Sequence, residues 1–317
     1  MAFIRSNNAN LMKAGLDAIL FEPWEKADPF KVINQVFNVG THDSEFKRWM
    51  TIKGFPILTS KTEGAAYGSA DASEAYYTDL KHVAYGVYTA ITHEARLDER
   101  YSVINQFPAA MRDAAEATVH YYAAAVFGEG FATRPSYQTG NRTTAEYLFD
   151  ADHDMKNGST QANEPSTAAD LTNTSLWAAV NAFYNFKTDA GLPYVISPKV
   201  LLIPHQLQQT AAELLKSQLM SENAENALNV LRTETNIEPV IWPYWLGNTS
   251  GGGSSGWYLL ADKGKMGDKF PTQFVWREKP WTKMTVEDKT DNYLYYIYER
   301  FSCGWPDYIG AYGSPGA

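Results

Sequence analysis

The most regular alternation of side chains in the sequence runs from residue 82 to residue 92. One face would carry Val83, Tyr85, Val87, Thr89 and Ile91, and the other His82, Ala84, Gly86, Tyr88 and Ala90. A period of two is typical of a β-strand. We expect this strand to begin near Tyr76 and to pair with an outgoing strand over 51–59. Small polar residues between 60 and 73 suit a loop tip, so the sequence predicts one long hairpin.

A long helix is predicted soon after this strand, from Pro108 to Phe127. Proline is tolerated in the first turn of a helix, because its missing N–H would have no intrahelical partner there. About twenty residues rising 1.5 Å each give a rod roughly 30 Å long. Alanines on one side allow close packing. Glu116 and His120 lie four residues apart, and we interpret them as a surface pair more readily than as an acid–base or metal pair.

The remaining segments mix helical and extended patterns. Helices are predicted over 171–186 and 206–220, and strands over 200–203, 240–245, 257–261, 274–277 and 293–300. Because no β-α-β repeat connects them, the predicted fold class is α+β. Residues 1–50 are weakly periodic, apart from one short helix near Leu16, and have the character of an arm more than of a domain.

Composition narrows the possible functions. The chain has 317 residues, 44% of them hydrophobic and 20% charged, which is enough to form a packed core. Its net charge of −9 argues against binding nucleic acid by neutralising phosphates. No stretch approaches the ~20 apolar residues of a membrane-spanning helix. The single cysteine, Cys303, excludes an intrachain disulfide, and we expect it to be a small packed residue.

The motifs that suggest enzymes are incomplete. His93 and Glu94 begin like the helix of a zinc protease, but the second histidine position is Leu97. An acidic cluster at 150–154 lacks the glycine and glutamate of an EF-hand loop, so we expect a solvated loop there. The glycines at 251–256 lack the lysine of a phosphate-binding loop and suit a hairpin turn. No metal or cofactor is predicted.

A series of short motifs runs in order from about residue 40 to the end of the chain. It includes Lys61-Thr62-Glu63-Gly64, Tyr85-Gly86, Asp98-Glu99-Arg100-Tyr101, Pro198-Lys199, Val240-Ile241-Trp242-Pro243-Tyr244, Trp257-Tyr258-Leu259 and Tyr312-Gly313-Ser314. In order and spacing this series resembles the major capsid (major head) proteins of tailed bacteriophages, in the class of the Mu-like major head subunit.

That resemblance implies the Hong Kong 97-like phage capsid fold, which is α+β and has named regions. The implied regions are an N-terminal arm (1–50), an extended hairpin called the E-loop (51–95), a peripheral domain with a long spine helix (96–150), an axial domain (151–267) and a C-terminal return to the peripheral domain (268–317). Residues 82–92 would then be the return strand of the E-loop.

The resemblance also implies a structural protein and not an enzyme. Its subunits would self-assemble into hexamers and pentamers of an icosahedral head around double-stranded DNA, without reading its sequence. Candidate intersubunit contacts are Lys61, Tyr67, Tyr76, Tyr77, Lys81, Tyr85 and Tyr88, since tyrosine is enriched at interfaces. Decoration, scaffold, protease and portal proteins are implied partners. The protein would reside in the virion after assembly in the host cytoplasm, away from membranes.

Two other functions and one covalent cross-link are also compatible with the sequence. A compartment shell of the encapsulin type would use the same fold to enclose an enzyme. A carbohydrate-active enzyme would need only two carboxylates brought together in space, which sequence spacing does not reveal. Some members of the capsid fold also join an E-loop lysine to a neighbour's asparagine. Lys61 and Lys81 lie in or near the hairpin, but no other residue pattern supports that cross-link.

Overall fold

The computed structural model describes residues 5–64, 66–69, 73–98, 104–142, 146–217, 229–244 and 255–316. Predictions at 99–102, 218–220, 245 and 251–254 therefore lie outside the described residues. The helices in the described part are α1 (Arg5–Lys26), α2 (Lys31–Val36), α3 (His93–Asp98), α4 (Gln106–Gly128), α5 (Asn173–Tyr184), α6 (Gln208–Lys216), α7 (Val230–Glu234) and α8 (Lys263–Met266).

Strands assemble into three main sheets and one short ribbon. The strands are β1 (Asn38–Thr41), β2 (Phe46–Ile52), β3 (Glu74–Lys81), β4 (Val83–Ile91), β5 (Gln138–Gly140), β6 (His153–Asp154), β7 (Thr160–Gln161), β8 (Pro198–Ile203), β9 (Glu238–Ile241), β10 (Trp257–Ala261), β11 (Gln273–Val286), β12 (Tyr293–Gly304) and β13 (Ala311–Ser314). The sheet orders are β1-β11-β12-β4, β13-β10-β8-β9 and β2-β3-β5, and β6 pairs with β7.

The first sheet is covered on one face by α1 and α4. Leu16 and Leu20 of α1 meet Met111 of α4 and Tyr295 of β12 in one apolar cluster. Asp17 links α1 to the sheet, because the hydroxyls of Tyr295 on β12 and Thr282 on β11 donate to its Oδ1 at 2.7 Å and 2.5 Å. The N-terminal helix is therefore part of the packed body.

A larger apolar core joins the spine-like helix α4 to both four-stranded sheets. The ring of Phe127 on α4 lies 5.4 Å from Phe37, 6.4 Å from Trp242 and 5.5 Å from Tyr258, measured between ring centroids. Aromatic side chains bury large areas and favour such edge-to-face contacts. The sequence prediction of one long helix over 108–127 is confirmed, with α4 slightly longer at both ends.

The predicted hairpin strands are wrong in extent. The outgoing strand is Phe46–Ile52. Residues 53–60 form no regular structure, since Gly54 has φ +76 and Pro56 has no N–H to donate to a neighbouring strand. The return strand is β3, which pairs with β2 from Phe46↔Lys81 to Ile52↔Glu74. The predicted single strand over 76–92 is instead two strands, β3 and β4, in two different sheets.

The break between β3 and β4 falls at His82. Its side chain is buried, and its Nδ1 lies 2.9 Å from the Ser302 hydroxyl of β12. Burial, together with the nearby charges of Arg300, Arg277 and Lys47 and the ring of His42, lowers the pKa of His82 to about 4. Beyond this anchor β4 pairs with β12, from Val83↔Phe301 to Ile91↔Tyr293. Alternation of side chains cannot reveal such a change of sheet.

The C-terminal segment also divides between two sheets. Strands β11 and β12 form the centre of the first sheet, but β13 pairs antiparallel with β10, from Trp257↔Ser314 to Leu260↔Ala311. Residues 311–314 thus lie in the sheet formed by segments within 151–267. The strand predicted at 257–261 is confirmed, and those predicted at 274–277 and 293–300 are longer than expected.

A glycine holds β5 against the hairpin, and its replacement is expected to be costly. A Cβ on Gly140 would lie 2.3 Å from the carbonyl oxygen of Tyr77, a backbone atom that cannot rotate away. We expect Gly140→Ala to destabilise the protein by roughly 1–3 kcal/mol, as overpacking typically does. Gly40→Ala in β1 is the matched control, since nothing lies within 4 Å of its Cβ. Equal urea midpoints for the two variants would contradict this packing.

Candidate functional site

Side-chain contacts at the base of the hairpin β2–β3 join its strands to each other and to the chain next to β5. Arg48 donates two hydrogen bonds of 2.7 Å to the carboxylate of Asp79 across the strands, and its guanidinium lies 4.5 Å from the ring centroid of Tyr77. The Asn141 side chain, next to β5, accepts a hydrogen bond of 2.7 Å from the Tyr77 N–H. The Arg48 contacts therefore join the two strands to each other, and Asn141 links the hairpin to the chain that follows β5.

Arg142 forms a buried charged centre directly beneath the hairpin. Its side chain is 2% exposed; it donates to Glu146 Oε2 at 3.3 Å and to Asp307 Oδ1 at 3.1 Å. Its guanidinium also lies 4.2 Å from the ring centroid of Tyr76 in β3 and 5.3 Å from that of Tyr308. The carboxylates of Asp307 and Glu146 raise the Arg142 pKa against the effect of burial. One side chain thus links the hairpin to the C-terminal segment.

Beyond its base the hairpin presents apolar side chains to solvent. Phe55, Ile57 and Leu58 are exposed, and Leu58 reaches 90% exposure. Tyr67 is 85% exposed, and the ammonium of Lys61 lies 4.4 Å from its ring centroid. Contiguous exposed apolar side chains mark an interaction site more often than a free surface. We call residues 53–61 the arm segment, which is distinct from the N-terminal arm at 1–50.

A second exposed apolar surface lies on the first sheet, on the face opposite α1 and α4. Tyr88 of β4 is 60% exposed, and its ring centroid lies 5.3 Å from that of Tyr296. Trp281 and Tyr298 form a neighbouring pair at 5.4 Å. An antiparallel sheet normally directs polar side chains to its solvated face, so these rings indicate a surface suited to a partner. We call these four residues the aromatic face.

The seven candidate contact residues occupy different environments. Lys61, Tyr67 and Tyr88 are exposed, and so is Lys81, whose ammonium lies 2.9 Å from Glu45. Tyr77 is half-buried at the hairpin base.

Tyr76 and Tyr85 use their rings inside the subunit. Tyr76 packs on Arg142, and Tyr85 stacks on Phe301 at 4.8 Å and on Tyr122 at 4.7 Å. These two tyrosines therefore offer little surface to a neighbouring molecule.

Residues with catalytic or metal-binding character are parts of the core. His120 is buried; its Nε2 bonds the Pro29 carbonyl at 3.1 Å and its Nδ1 accepts from Trp242 Nε1 at 3.2 Å, so the expected surface pair with Glu116 is wrong. Cys303 is buried beside the Tyr137 hydroxyl at 3.3 Å, which confirms its packing role, and burial raises its pKa to about 12.

The acidic cluster at 150–154 is only partly the solvated loop that we expected. His153 is fully buried and stacks on Tyr308 at 3.8 Å, and its Nε2 lies 3.0 Å from Asn163 Oδ1. Burial and the nearby Arg142 lower the pKa of His153 to about 3. Among the described residues no group of three or more histidine, cysteine, aspartate or glutamate side chains is placed to hold a metal.

Glu299 is a buried carboxyl whose ionisation should oppose folding. It is 3% exposed on β12, its Oε2 makes no hydrogen bond within the described structure, and burial raises its pKa to about 8. Because the pKa of Glu299 is higher in the folded than in the unfolded protein, the free energy of unfolding is largest at acidic pH and falls as the pH rises toward 8. We expect Glu299→Gln to flatten this dependence, gaining on the order of 4 kcal/mol over wild type by pH 8. Parallel stability–pH curves for the two proteins, from urea unfolding, would contradict this.

Sequence reasoning missed the charged centre and the aromatic face. Arg142 and Glu146 have the i, i+4 spacing of an ion pair, which was a usable signal, but Asp307 lies far along the chain. The aromatic face depends on pairing Tyr88 with Tyr296 and Trp281 with Tyr298 across strands. Only the three-dimensional register brings those rings together.

Comparisons with known proteins place this architecture. The phage capsid protein family matches residues 76–314. The fold is similar to that of a chain of Microbacterium phage Oxtober96 at 12% identity, covering 90% of this chain and 91% of that one with a TM-score of 0.55. The capsid of cyanophage P-SCSP1u is similar at 12% identity, covering 89% and 86% with a TM-score of 0.56. The capsid of a native GTA particle is similar at 9% identity, covering 90% of both chains with a TM-score of 0.56.

No curated protein matches the chain. None of the helices in the described part combines the length and the apolar composition needed to cross a lipid bilayer. The fold shared with these capsids over about nine-tenths of the chain is the α+β, Hong Kong 97-like capsid fold that the motif series implied. The family match spans well over half of the sequence. The chain therefore belongs to the phage capsid protein family, as a structural major capsid protein of the phage head.

Proposed function

We propose that copies of this chain assemble into hexamers and pentamers that close an icosahedral head around double-stranded DNA. Many weak, repeated contacts then add up to a stable shell. The net charge of −9 suits a container that encloses DNA without gripping its phosphates. Assembly would take place in the host cytoplasm, with scaffold, protease, portal and decoration proteins as partners.

The observation that carries this proposal is that the apolar side chains of the arm segment are exposed to solvent. Phe55, Ile57 and Leu58 gain nothing from exposure in a lone subunit, whereas burial against a neighbour stabilises by roughly 25 cal/mol per Å² of apolar surface. In this assignment the E-loop comprises β2, β3 and residues 53–73 in place of the expected 51–95, because β4 pairs with β12 in the first sheet. Helix α4 is the spine helix. Strands β8, β9 and β10 belong to the axial domain, while β4, β11 and β12 form the peripheral sheet.

Particle formation tests this function. The purified protein, expressed alone and then with candidate scaffold proteins, is examined by sedimentation velocity and negative-stain electron microscopy. We expect closed shells that sediment far faster than a 35.5 kDa monomer. Uniform monomers under all these conditions would contradict the proposal.

A further inference from the structure

A cavity of about 360 Å³ opens between the base of the hairpin and the body. One wall is formed by β2, and the others by residues 188–194, 266–270 and 306–309. The lining includes Trp49, Met50, Ile52, Tyr194, Phe270 and Ile309. Its volume falls in the range of sites that bury a small ligand or a few side chains, and its walls are mostly apolar.

The cavity is also acidic. Among the described lining residues, three are acidic, Asp189, Asp268 and Asp307, and one is a cation, Lys269. Asp307 is partly neutralised by Arg142, and Asp189 accepts a long hydrogen bond of 3.4 Å from the Lys156 N–H. Asp268 is exposed at the rim, and its carboxylate accepts a long hydrogen bond of 3.5 Å from the Asn38 side chain. An apolar occupant with positive charge would suit this site best.

The arm segment has that chemistry. Residues 53–61 contain two lysines, Lys53 and Lys61, and no acidic residue, in a chain whose net charge is −9. Between the lysines lie Phe55, Ile57 and Leu58, which stay exposed in their own subunit and so do not fill its cavity. The cavity and the segment are complementary in both polarity and charge, and they belong to the same chain.

We propose that the arm segment of one copy fills the cavity at the hairpin base of the next copy, an inference that rests on the proposed assembly into a shell. The two surfaces differ, so the contact is heterologous, and repeating it head to tail closes a ring when the rotation allows. Each subunit then gives one arm segment and receives one. Electrostatic complementarity of this kind fixes the register of an interface.

Disulfide trapping tests the contact directly. Cys303 is buried and its thiol pKa is raised to about 12, so it gives a silent background. The double variant Met50→Cys/Leu58→Cys places one thiol in the cavity wall and one on the arm segment. Assembled particles are oxidised mildly with copper–phenanthroline and run on non-reducing gels. We expect covalent ladders up to five and six subunits, whereas each single variant yields monomers or at most dimers.

A second pair separates this contact from the alternative receiving surface. Tyr88→Cys/Leu58→Cys would trap the arm segment on the aromatic face instead. Ile52→Cys/Leu58→Cys serves as a second cavity pair. Covalent ladders from Tyr88→Cys/Leu58→Cys, with none from the Met50 or Ile52 pair, would overturn the cavity proposal but not the proposal of shell assembly. Particles in which none of these pairs cross-links would also overturn the cavity proposal. Absence of particles from the wild-type chain would instead refute the proposed function itself.

Discussion

Replacing residues 53–73 by a two-residue Asn-Gly turn is expected to give a folded subunit that forms no shells. Ile52 and Glu74 already face each other across β2 and β3, so a tight turn can close the hairpin without changing its register. The removed segment contributes little to the subunit's core, because its large side chains, such as Ile57 and Leu58, are exposed. Sedimentation and circular dichroism would show a native-like monomer and a loss of particles.

A narrower variant separates side-chain contacts from loop length. Phe55→Ser/Ile57→Ser/Leu58→Ser keeps the chain length and removes only the exposed apolar groups, and we expect it to lower particle yield at least tenfold. Val195→Ser is the matched control, because Val195 is 92% exposed but lies outside the arm segment. Wild-type particle yields from both the deletion and the triple variant would show that the arm segment is not needed for assembly.

The second large effect is expected at the buried charged centre. Arg142→Met keeps much of the side-chain volume but leaves Glu146 and Asp307 without their shared cation. Breaking a buried pair by removing one partner costs roughly 3–5 kcal/mol. We expect the urea midpoint to fall accordingly, with the hairpin, which Tyr76 ties to Arg142, loosening first. Hydrogen exchange of β3 amides would report this local effect.

An exposed pair in the same hairpin is the control for that prediction. Arg48 and Asp79 approach to 2.7 Å, closer than the Arg142 contacts, but half of the Arg48 side chain is exposed. Exposed pairs contribute about 0–1 kcal/mol, so Arg48→Met is expected to cost far less than Arg142→Met. Similar losses for the two variants would mean that burial does not determine the strength of these pairs.

Local signals in the sequence predicted elements whose structure is decided locally. Pro108 in its first turn and a run of alanines predicted the long helix α4, and the apolar segment Trp257–Ala261 predicted β10. The predicted hairpin had strands of the wrong extent because long-range pairing sets their limits. β2 ends where its pairing with β3 ends at Glu74, and β4 begins where the buried His82 anchors the chain to Ser302.

The candidate contacts show the same limit. Tyrosines on the alternating strand were chosen because tyrosine is common at interfaces, but type alone does not give direction. Tyr85 faces α4 and packs on Tyr122, whereas Tyr88, three residues on, faces away from the body. The cavity that we propose as the receiving surface draws its lining from four separate segments, with Trp49 and Ile309 among them. No spacing in the sequence could bring those segments together.

A reconstruction of assembled particles by cryo-electron microscopy would show whether the arm segment of each subunit lies on a neighbouring subunit. We expect closed shells in which residues 53–61 of each subunit extend from their own body and lie on a neighbouring copy, with Phe55, Ile57 and Leu58 buried at that contact. Shells in which the arm segment folds back on its own subunit, or remains in solvent, would contradict the account.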